Sequence, residues 1–410
     1  MKILHINTLY PPTTVGGAER SLAILGESLA IKGHEPHVAC LTPTAEKVEI
    51  RAGVTVHRIR NELPYWPFDN RHRSPLDKLH WHLRDRAAGP HFVAISQLVD
   101  KIKPDVVHTN NLTGFGAQLI PFIKNRGIPV AHTLRDFSLL CVRASLFRDK
   151  RDCEARCLAC RLLTEPRMHA AEGADIVIGN STYMIDRHRA AGLFRQTEAQ
   201  TIYNAVPGIE NEPARPQPNK RGPHRFGFVG AIKAEKGIES LLEALGTMHS
   251  KVPGWALSVA GVGDADYVAS LQTRFAHLPI EWLGFMAPDD IYPRLDTLVI
   301  PSIWPEPMPR TLIEAMAYRL NVVVSDAGGA HEVAAQYAGA KVYPREDVDA
   351  LSALLADACV TISDVATPID PKVLAQFSAD HLASRYVDAF GMAIEIANRE
   401  KSGIKDLANV

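Results

Sequence analysis

Two acidic residues, Glu306 and Glu314, stand with seven residues between them in a proline-rich stretch of the second half of the chain. Prolines at 305, 307 and 309 lack an amide N–H and restrict the residue before them, so Glu306 is predicted to lie in a loop. Pro309 suits a first helical turn. Glu306 should therefore lie near a helix N-terminus, where free N–H groups favour anionic ligands.

Glu314 falls inside that predicted helix, among the apolar residues 312, 313 and 315 to 317. A carboxylate in apolar surroundings needs hydrogen-bond donors. An ionised carboxylate can only accept, so adjacent hydroxyls such as a ribose diol suit it. The alternative is that Glu314 lies on the helix surface and Glu306 is a solvated loop charge. The pair alone does not decide between these interpretations.

Glycine-containing loops that follow predicted strands carry further candidates. Gly16 and Gly17 precede a helical pattern, and paired glycines let a backbone approach a phosphate closely, or simply turn the chain. Gly230 ends a predicted strand, and Lys233 and Lys236 follow it; these cations can neutralise a diphosphate or form a solvated surface turn. Two more loops are candidates: Gly328–Gly329 near a ligand or in a turn, and Phe285 beside a base or in the core.

Composition limits the classes of protein. At 410 residues the chain is long enough for two domains, and 46% hydrophobic residues indicate a globular protein. A formal net charge of -1 argues against nucleic acid as a partner. The N-terminus resembles a short strand rather than a signal peptide, and there is no long apolar run. We therefore expect a cytoplasmic protein.

Apolar runs alternate with helical patterns along the chain, which predicts an α/β protein of two Rossmann-like, doubly wound parallel-sheet domains facing each other across a cleft. The expected domains are 1–210 and 225–375, with a polar, proline-rich linker at 211–224 and a helix at about 376–398 that packs back on the first domain. Residues 401–410 resemble a loose tail. Strands are predicted at Ile3–Asn7, His37–Leu41, Val54–Ile59, Asp105–His108, Ile128–His132, Ile176–Ile178, Arg225–Val229, Ala256–Ala260, Ile280–Leu283, Leu298–Ile300 and Val322–Ser325.

Taken together, these motifs resemble those of GT-B fold retaining glycosyltransferases of family 4, also called glycosyl transferases group 1, over nearly the whole chain. The residues that carry the resemblance are Gly16-Gly17-Ala-Glu-Arg, Asn180-Ser-Thr-Tyr, Ile202-Tyr-Asn-Ala-Val, Phe228-Val-Gly with Glu235-Lys-Gly, Pro301-Ser, the two glutamates, and Gly328-Gly329 with Glu332.

The resemblance implies roles for individual residues. Glu306 would contact the donor sugar, Glu314 the ribose and Lys236 the diphosphate. The glycine loop at 16 and 17 would approach the distal phosphate or the reacting sugar. Further donor contacts are predicted at Gly230, Lys233, Phe285, Met308, Arg310 and Thr311.

Two departures from the family pattern concern charge. Ala231 stands where many members have an arginine, and Lys233 can substitute for it only as a point charge. Arg135-Asp136 stands where many members have His-Asp. An arginine there points to an acidic or otherwise unusual sugar, or to a different diphosphate clamp. Arg135 and Asp136 are therefore predicted catalytic residues beside Glu306 and Lys236.

The implied reaction is retaining, hexosyltransferase-like transfer from a nucleoside-diphosphate sugar to a saccharide or lipid-linked saccharide, as in bacterial cell-surface polysaccharide or glycolipid synthesis. It needs no cofactor, no catalytic metal and no dedicated protein base, because a phosphate oxygen takes the acceptor's proton. Asp136 and His132 are candidate bases, with a structural role as the alternative. The other functions considered are a sugar-nucleotide epimerase and a non-catalytic sugar-nucleotide-binding protein.

Two further features suggest partners. Cys141, Cys153, Cys157 and Cys160 could hold a structural zinc ion, or be free buried thiols or a disulfide. Residues 58–91 interleave aromatic and basic side chains. That segment could contact an anionic membrane surface and make the protein peripheral on the inner face of the membrane; the alternative is a solvated loop with a few packed aromatics.

Overall fold

The computed structural model describes residues 1–14, 16–69, 71–86, 91–209, 222–361 and 368–408, without the side chains of 86 and 403–408. The chain divides into two compact units. The first consists of Met1–Leu146, Cys153–Ala205 and Ala379–Val410, and the second of Phe147–Asp152 and Val206–Ser378. Residues 211–221 of the predicted linker lie outside the described part of the chain.

The first unit is built on a sheet with the order β10-β9-β6-β5-β1-β2-β4-β3, in which only β3 runs antiparallel to its neighbour. A two-stranded hairpin, β7 with β8, belongs by its contacts to the second unit. The strands up to residue 201 are β1 Lys2–Ile6, β2 Glu35–Thr42, β3 Lys47–Arg51, β4 Val54–Arg60, β5 Val106–Thr109, β6 Val130–Leu134, β7 Phe147–Arg148, β8 Arg151–Asp152, β9 Ile176–Gly179 and β10 Glu198–Thr201. The helices are α1 Gly17–Ile31, α2 Pro75–Arg86, α3 His91–Ile102, α4 Leu119–Lys124, α5 Leu158–Ala171 and α6 Thr182–Ala190.

The second unit has a fully parallel sheet with the order β13-β12-β11-β14-β15-β16. Its strands are β11 His224–Val229, β12 Trp255–Ala260, β13 Ile280–Gly284, β14 Thr297–Ile300, β15 Asn321–Ser325 and β16 Ala340–Tyr343. Its helices are α7 Ile238–His249, α8 Ala265–Arg274, α9 Pro288–Ile291, α10 Arg310–Ala317, α11 Ala330–Ala334, α12 Val348–Val360 and α13 Pro371–Ala375, with short 3-10 turns at Ala234–Lys236 and Tyr292–Arg294.

The two strand orders confirm the predicted α/β class with doubly wound parallel sheets. In each sheet the order reverses beside the first strand, between β1 and β5 and between β11 and β14. Ligands of open α/β sheets bind outside the carboxyl ends of the strands at such switch points. The loops that follow β5, β6, β11 and β14 are therefore the expected ligand-binding loops.

The last helix, α14 (Ala379–Ala408), belongs to the first unit. Its buried Leu382, Tyr386 and Phe390 join the hydrophobic core formed by β1, β2, β5 and α1. This helix continues through Lys401 to Ala408, so the predicted loose tail is wrong for those residues. The second unit has its own core, centred on β11, β12, α7 and α12.

Candidate functional site

In the second unit the loop after β14 carries Glu306, and α10 begins at Arg310 with Pro309 as its N-cap, as the prolines predicted. Glu306 accepts hydrogen bonds from Lys236 Nζ at 2.5 Å and from Ser302 Oγ at 2.8 Å. The Lys236 ammonium also lies 5.5 Å from the ring centroid of Trp304, at cation–π distance. Residues 70 positions apart in sequence therefore form one partly exposed ion pair.

Glu314 is held by different partners. The hydroxyl of Tyr292 donates to its Oε2 at 2.6 Å, and Arg310 Nε lies 3.9 Å from its Oε1. Tyr292 is fully buried, and burial, followed by the charge of Glu314, raises the pKa of Tyr292 well above its ordinary value. The phenol therefore stays protonated and donates. Sequence reasoning missed Tyr292 because nothing near it in the sequence marks a partner of Glu314.

Two glycines hold neighbouring loops together. Gly328 has φ +70°, and a Cβ there would lie 2.1 Å from the carbonyl oxygen of Glu306, while Gly329 N–H donates to that same oxygen at 2.9 Å. Gly237, with φ +72°, approaches the carbonyl oxygen of Pro301 so closely that a Cβ would lie 1.7 Å away. These glycines position the loop that carries Glu306.

The other predicted donor contacts differ in exposure. Phe285 is 70% exposed at the carboxyl end of β13, so the alternative that it is a core residue is wrong. Lys233 is exposed, and Gly230 has φ +146° at the end of β11. Met308 is buried, which leaves its backbone rather than its side chain for ligand contact.

Arg310 and Thr311 form the first turn of α10. The Pro309 N-cap supplies no capping side chain there. The N-terminus of α10 therefore lies at the edge of the sheet that carries Glu306.

In the first unit Gly16 is the exposed N-cap of α1, and its N–H donates to Glu19 Oε2 at 2.9 Å. Arg135 and Asp136 follow β6 directly. Asp136 accepts from Asn111 Nδ2 at 2.9 Å and Ser138 N at 2.8 Å, and burial raises its pKa.

His132, one of the candidate bases, lies inside β6 with its ring 2.8 Å from the hydroxyl of Thr109. Burial, with the charge of His188, lowers the pKa of His132 to about 3. This environment favours the structural role for His132.

The structure does not support the predicted zinc site. Within the described residues, no three His, Cys, Asp or Glu side chains form a group that could hold a metal ion. The thiols differ in environment: Cys141 and Cys160 are buried, Cys153 is half-buried and Cys157 is exposed as the N-cap of α5. The four cysteines form no disulfide.

Both halves of the chain match models of known protein families. The family model for Glycosyltransferase Family 4 matches residues 15–207, and the model for Glycosyl transferases group 1 matches residues 210–359. A Klebsiella pneumoniae protein named "Uncharacterized 42.6 kDa protein in cps region" is 31% identical over 334 residues, which are 81% of this chain and 87% of that protein.

Solved structures show the same fold. Sucrose-phosphate synthase from Thermosynechococcus elongatus matches with a TM-score of 0.68 at 17% identity, covering 99% of both chains. Anabaena HepE in complex with UDP-glucose matches with a TM-score of 0.61 at 19% identity, covering 98% of this chain and 100% of that one. The fold is therefore GT-B, the fold of two Rossmann-like domains that the sequence predicted. The chain belongs to glycosyltransferase family 4.

Proposed function

We propose that this protein is a retaining glycosyltransferase that moves a hexose-like sugar from a nucleoside-diphosphate sugar to a saccharide or lipid-linked saccharide. The observation that carries the proposal is the Lys236–Glu306 ion pair, placed beside the N-terminus of α10 at the carboxyl edge of the second sheet. This arrangement supplies a cation and a helix N-terminus for a diphosphate, and a carboxylate for sugar hydroxyls.

In the proposed reaction the bond between sugar C1 and the diphosphate oxygen breaks. A bond from C1 to the acceptor oxygen forms on the same face of the sugar, and the acceptor's proton passes to a phosphate oxygen of the leaving group. Negative charge grows on the diphosphate, so Lys236 and Lys233 stabilise the transition state. These cations and α10 supply the positive charge that a divalent metal would otherwise supply. Because a phosphate oxygen takes the acceptor's proton, the reaction needs no protein base.

Each site residue has a proposed contact with the donor. Glu314, fixed by Tyr292, binds the ribose diol, and exposed Phe285 lies against the base. The diphosphate is bound by Gly230, Lys233, Lys236, the backbone of Met308, and Arg310 and Thr311. Gly16 and Gly17 approach the distal phosphate or the sugar, and Arg135 and Asp136 act on the sugar side. Because Anabaena HepE has been solved with UDP-glucose, uridine nucleotides are the first donors to test.

The biological role proposed is synthesis of a cell-surface polysaccharide or glycolipid, because the similar Klebsiella protein is named for its cps region. No helix among the described residues is long and apolar enough to cross a membrane. We propose a cytoplasmic protein with peripheral contact to the inner face of the membrane.

The surface proposed for that contact lies on α2. Leu76, Leu79 and Leu83 are 77%, 44% and 47% exposed, at helical spacing on one face, with the exposed cations Lys78 and Arg84 on the same helix. The aromatic residues that suggested membrane contact are instead packed against other parts of the protein. Trp81 is buried and donates to the Tyr65 carbonyl, and Trp66 packs against Phe68.

Flotation with vesicles rich in anionic lipid tests the membrane contact. The wild type should float, and replacement of the three α2 leucines by serine should abolish flotation. Ile31→Ser, which removes an exposed apolar side chain elsewhere on the same unit, should float as the wild type does. Equal flotation by the triple variant, or none by the wild type, would contradict this contact.

A panel of nucleotide sugars, assayed for slow release of free nucleoside diphosphate without acceptor, tests the catalytic proposal. One donor should be hydrolysed, and Lys236→Ala or Glu306→Gln should reduce release at least about 100-fold. Lys251→Ala removes an exposed lysine of the same unit and should leave release unchanged.

The alternatives give different results in this assay. A sensor would bind the donor without releasing the diphosphate, and an epimerase would convert the nucleotide sugar without cleaving it. Near-normal release by either site variant would overturn the assignment.

A further inference from the structure

Arg135 is a half-buried cation whose hydrogen-bond partners among the described residues are uncharged. Its Nε donates to Asn110 Oδ1 at 3.3 Å, and its two terminal nitrogens donate to Asn204 Oδ1 at 2.7 Å and to the hydroxyl of Tyr386 at 3.2 Å. All three acceptors are buried and uncharged. Within the part of the chain that the structure describes, Arg135 forms no ion pair.

Other partly buried arginines of this chain have carboxylate partners. Arg58 is paired with Glu49, Arg167 with Asp85, and Arg225 with Asp296. Those pairs satisfy the rule that a charge removed from water needs a counter-charge. Arg135 has no such counter-charge among the described residues, although three hydrogen bonds hold its guanidinium in place.

The adjacent acid does not neutralise the guanidinium. The carboxylate of Asp136 is directed to Asn111 and to the backbone N–H of Ser138 instead, and burial raises its pKa. Glu19, in the first turn of α1, is engaged elsewhere, because its carboxylate accepts from Gly16 N.

Groups behind Arg135 are also uncharged near neutral pH. Nδ1 of His5 lies 2.8 Å from Nδ1 of His108, and His108 connects through the hydroxyl of Thr133 to Tyr386. Burial, assisted by the charges of His37 and Arg135, lowers the pKa of His5 to about 3. Burial, then the charges of His5, Arg135 and His132, lowers the pKa of His108 well below its ordinary value. The cation is therefore oriented by a chain of neutral groups.

Its position is that of a ligand-binding group. Arg135 directly follows β6, Asn110 directly follows β5, and both lie at the carboxyl edge of the parallel sheet, where ligands of this architecture bind. A guanidinium has five N–H donors, and the three bonds to protein leave two for another acceptor. An anion with two oxygens would neutralise the guanidinium and accept hydrogen bonds from the two remaining N–H groups.

We propose that Arg135 binds a carboxylate or phosphate group carried by one of the two sugars, so that the enzyme selects an anionic substrate. This inference rests on the proposed transferase function and specifies its substrate class. The anion has two sources: an acidic transferred sugar, such as a uronic acid, or an acidic or phosphorylated acceptor.

The test compares diphosphate release by the wild type, Arg135→Gln and Arg135→Lys. In the donor arm, UDP-glucuronate is compared with UDP-glucose. In the acceptor arm, glucose 6-phosphate is compared with glucose in the presence of the best donor. We expect the wild type to prefer the anionic member of one arm by about tenfold or more, which is about 1.4 kcal/mol.

Arg135→Gln should abolish that preference, and Arg135→Lys should keep part of it, because lysine retains the charge without the fork. The preference is a ratio within each variant, so a loss of stability that lowers both rates leaves it unchanged. Arg126→Gln is the matched control. It removes a cation from the loop that enters β6 at the opposite end of the strand and should keep the wild-type preference.

The outcomes separate the two proposals. Release that is equal for anionic and neutral substrates in both arms, or a preference that survives in Arg135→Gln, overturns the anion site and leaves the transferase standing. A wild type that releases diphosphate from no nucleotide sugar, with Lys236→Ala behaving identically, overturns the transferase and this inference together.

Discussion

Glu306 and Glu314 lie in one short segment, yet their hydrogen-bond partners differ. Glu306 is bound by the partly exposed Lys236 and by the buried Ser302. Glu314 is bound by the hydroxyl of a buried tyrosine. A ligand can reach Lys236, which is partly exposed, but not Tyr292, which is fully buried. We therefore expect Glu314 to be a fixed acceptor and Glu306 to exchange Lys236 for a ligand hydroxyl.

At the residue scale, Tyr292→Phe should weaken nucleotide binding while leaving the fold intact. The ring still fills the core, but Glu314 loses the donor that fixes it, at a cost of about 1 to 1.5 kcal/mol. Calorimetric titration with UDP should show binding weakened about five- to tenfold. Tyr343→Phe removes another buried hydroxyl of the same unit and should bind UDP as the wild type does. Unchanged UDP affinity in Tyr292→Phe would show that the tyrosine does not position Glu314.

Acid should destabilise the first unit through its buried histidines. Burial lowers the pKa of His5 and of His132 to about 3 in the folded protein, against an ordinary 6.5. As the pH falls below 6.5, the unfolded state binds protons that the folded state does not, so stability is lost progressively until about pH 3. Each such histidine should contribute about 1.4 kcal/mol per pH unit across that window.

Urea unfolding followed by circular dichroism between pH 7 and 4.5 measures this loss of stability. His132→Gln should flatten the dependence of unfolding free energy on pH, whereas replacement of the exposed His80 by glutamine should not. A slope in His132→Gln equal to that of the wild type would assign the acid sensitivity to other groups.

At the scale of elements, the loops at the carboxyl edge of the second sheet support one another by backbone contact. Gly328 should therefore tolerate no side chain: alanine there would be strained at φ +70° and would meet the Glu306 carbonyl. We expect Gly328→Ala to lower diphosphate release at least about tenfold by moving Glu306. The matched control is Gly246→Ala in α7, where the added methyl meets open space and should stabilise the helix by up to about 1 kcal/mol. Wild-type release by Gly328→Ala would mean that the loop adapts.

The elements also show what the sequence could predict. Every predicted strand is present within a residue or two, because central strands of parallel sheets are continuous apolar runs. The strands missed are β3, β10 and β16, which lie at sheet edges, and the two-residue strands β7 and β8 of the hairpin. An edge strand is buried less, so it keeps polar sequences such as Glu198-Ala-Gln-Thr201, which carry no apolar pattern.

The candidate site likewise contains residues that the local sequence predicts and residues that it does not. Glu306, Lys236 and the start of α10 were predictable because local chemistry marks them: prolines, a glycine turn and cations after a strand. Tyr292 and the acceptors around Arg135 were not, because they reach the site only through long-range packing. Tyr386 is 251 positions from Arg135, and no local pattern connects the two.

At the scale of the whole molecule, the first unit is completed by the end of the chain. Phe390 of α14 is fully buried against the rings of His5, His108 and Tyr386, which join β1, β5 and the acceptors of Arg135. The core of this unit therefore combines β1 with α14, which are far apart in the sequence. Loss of that contact should weaken the unit that holds Arg135 rather than only fray a terminus.

Phe390→Ala should lower stability by about 3 to 5 kcal/mol, since it leaves a cavity beneath a sheet that cannot close around it. Glu395→Ala, at an exposed position on the same helix, should change stability by less than about 0.5 kcal/mol. Scanning calorimetry of the full chain measures both effects as shifts of the unfolding transition. A melting profile of Phe390→Ala that coincides with that of Glu395→Ala would contradict the role of α14 in the core. If the shift is as expected, the order of synthesis matters: the first unit reaches its final stability only after residues beyond Ser378 have been made.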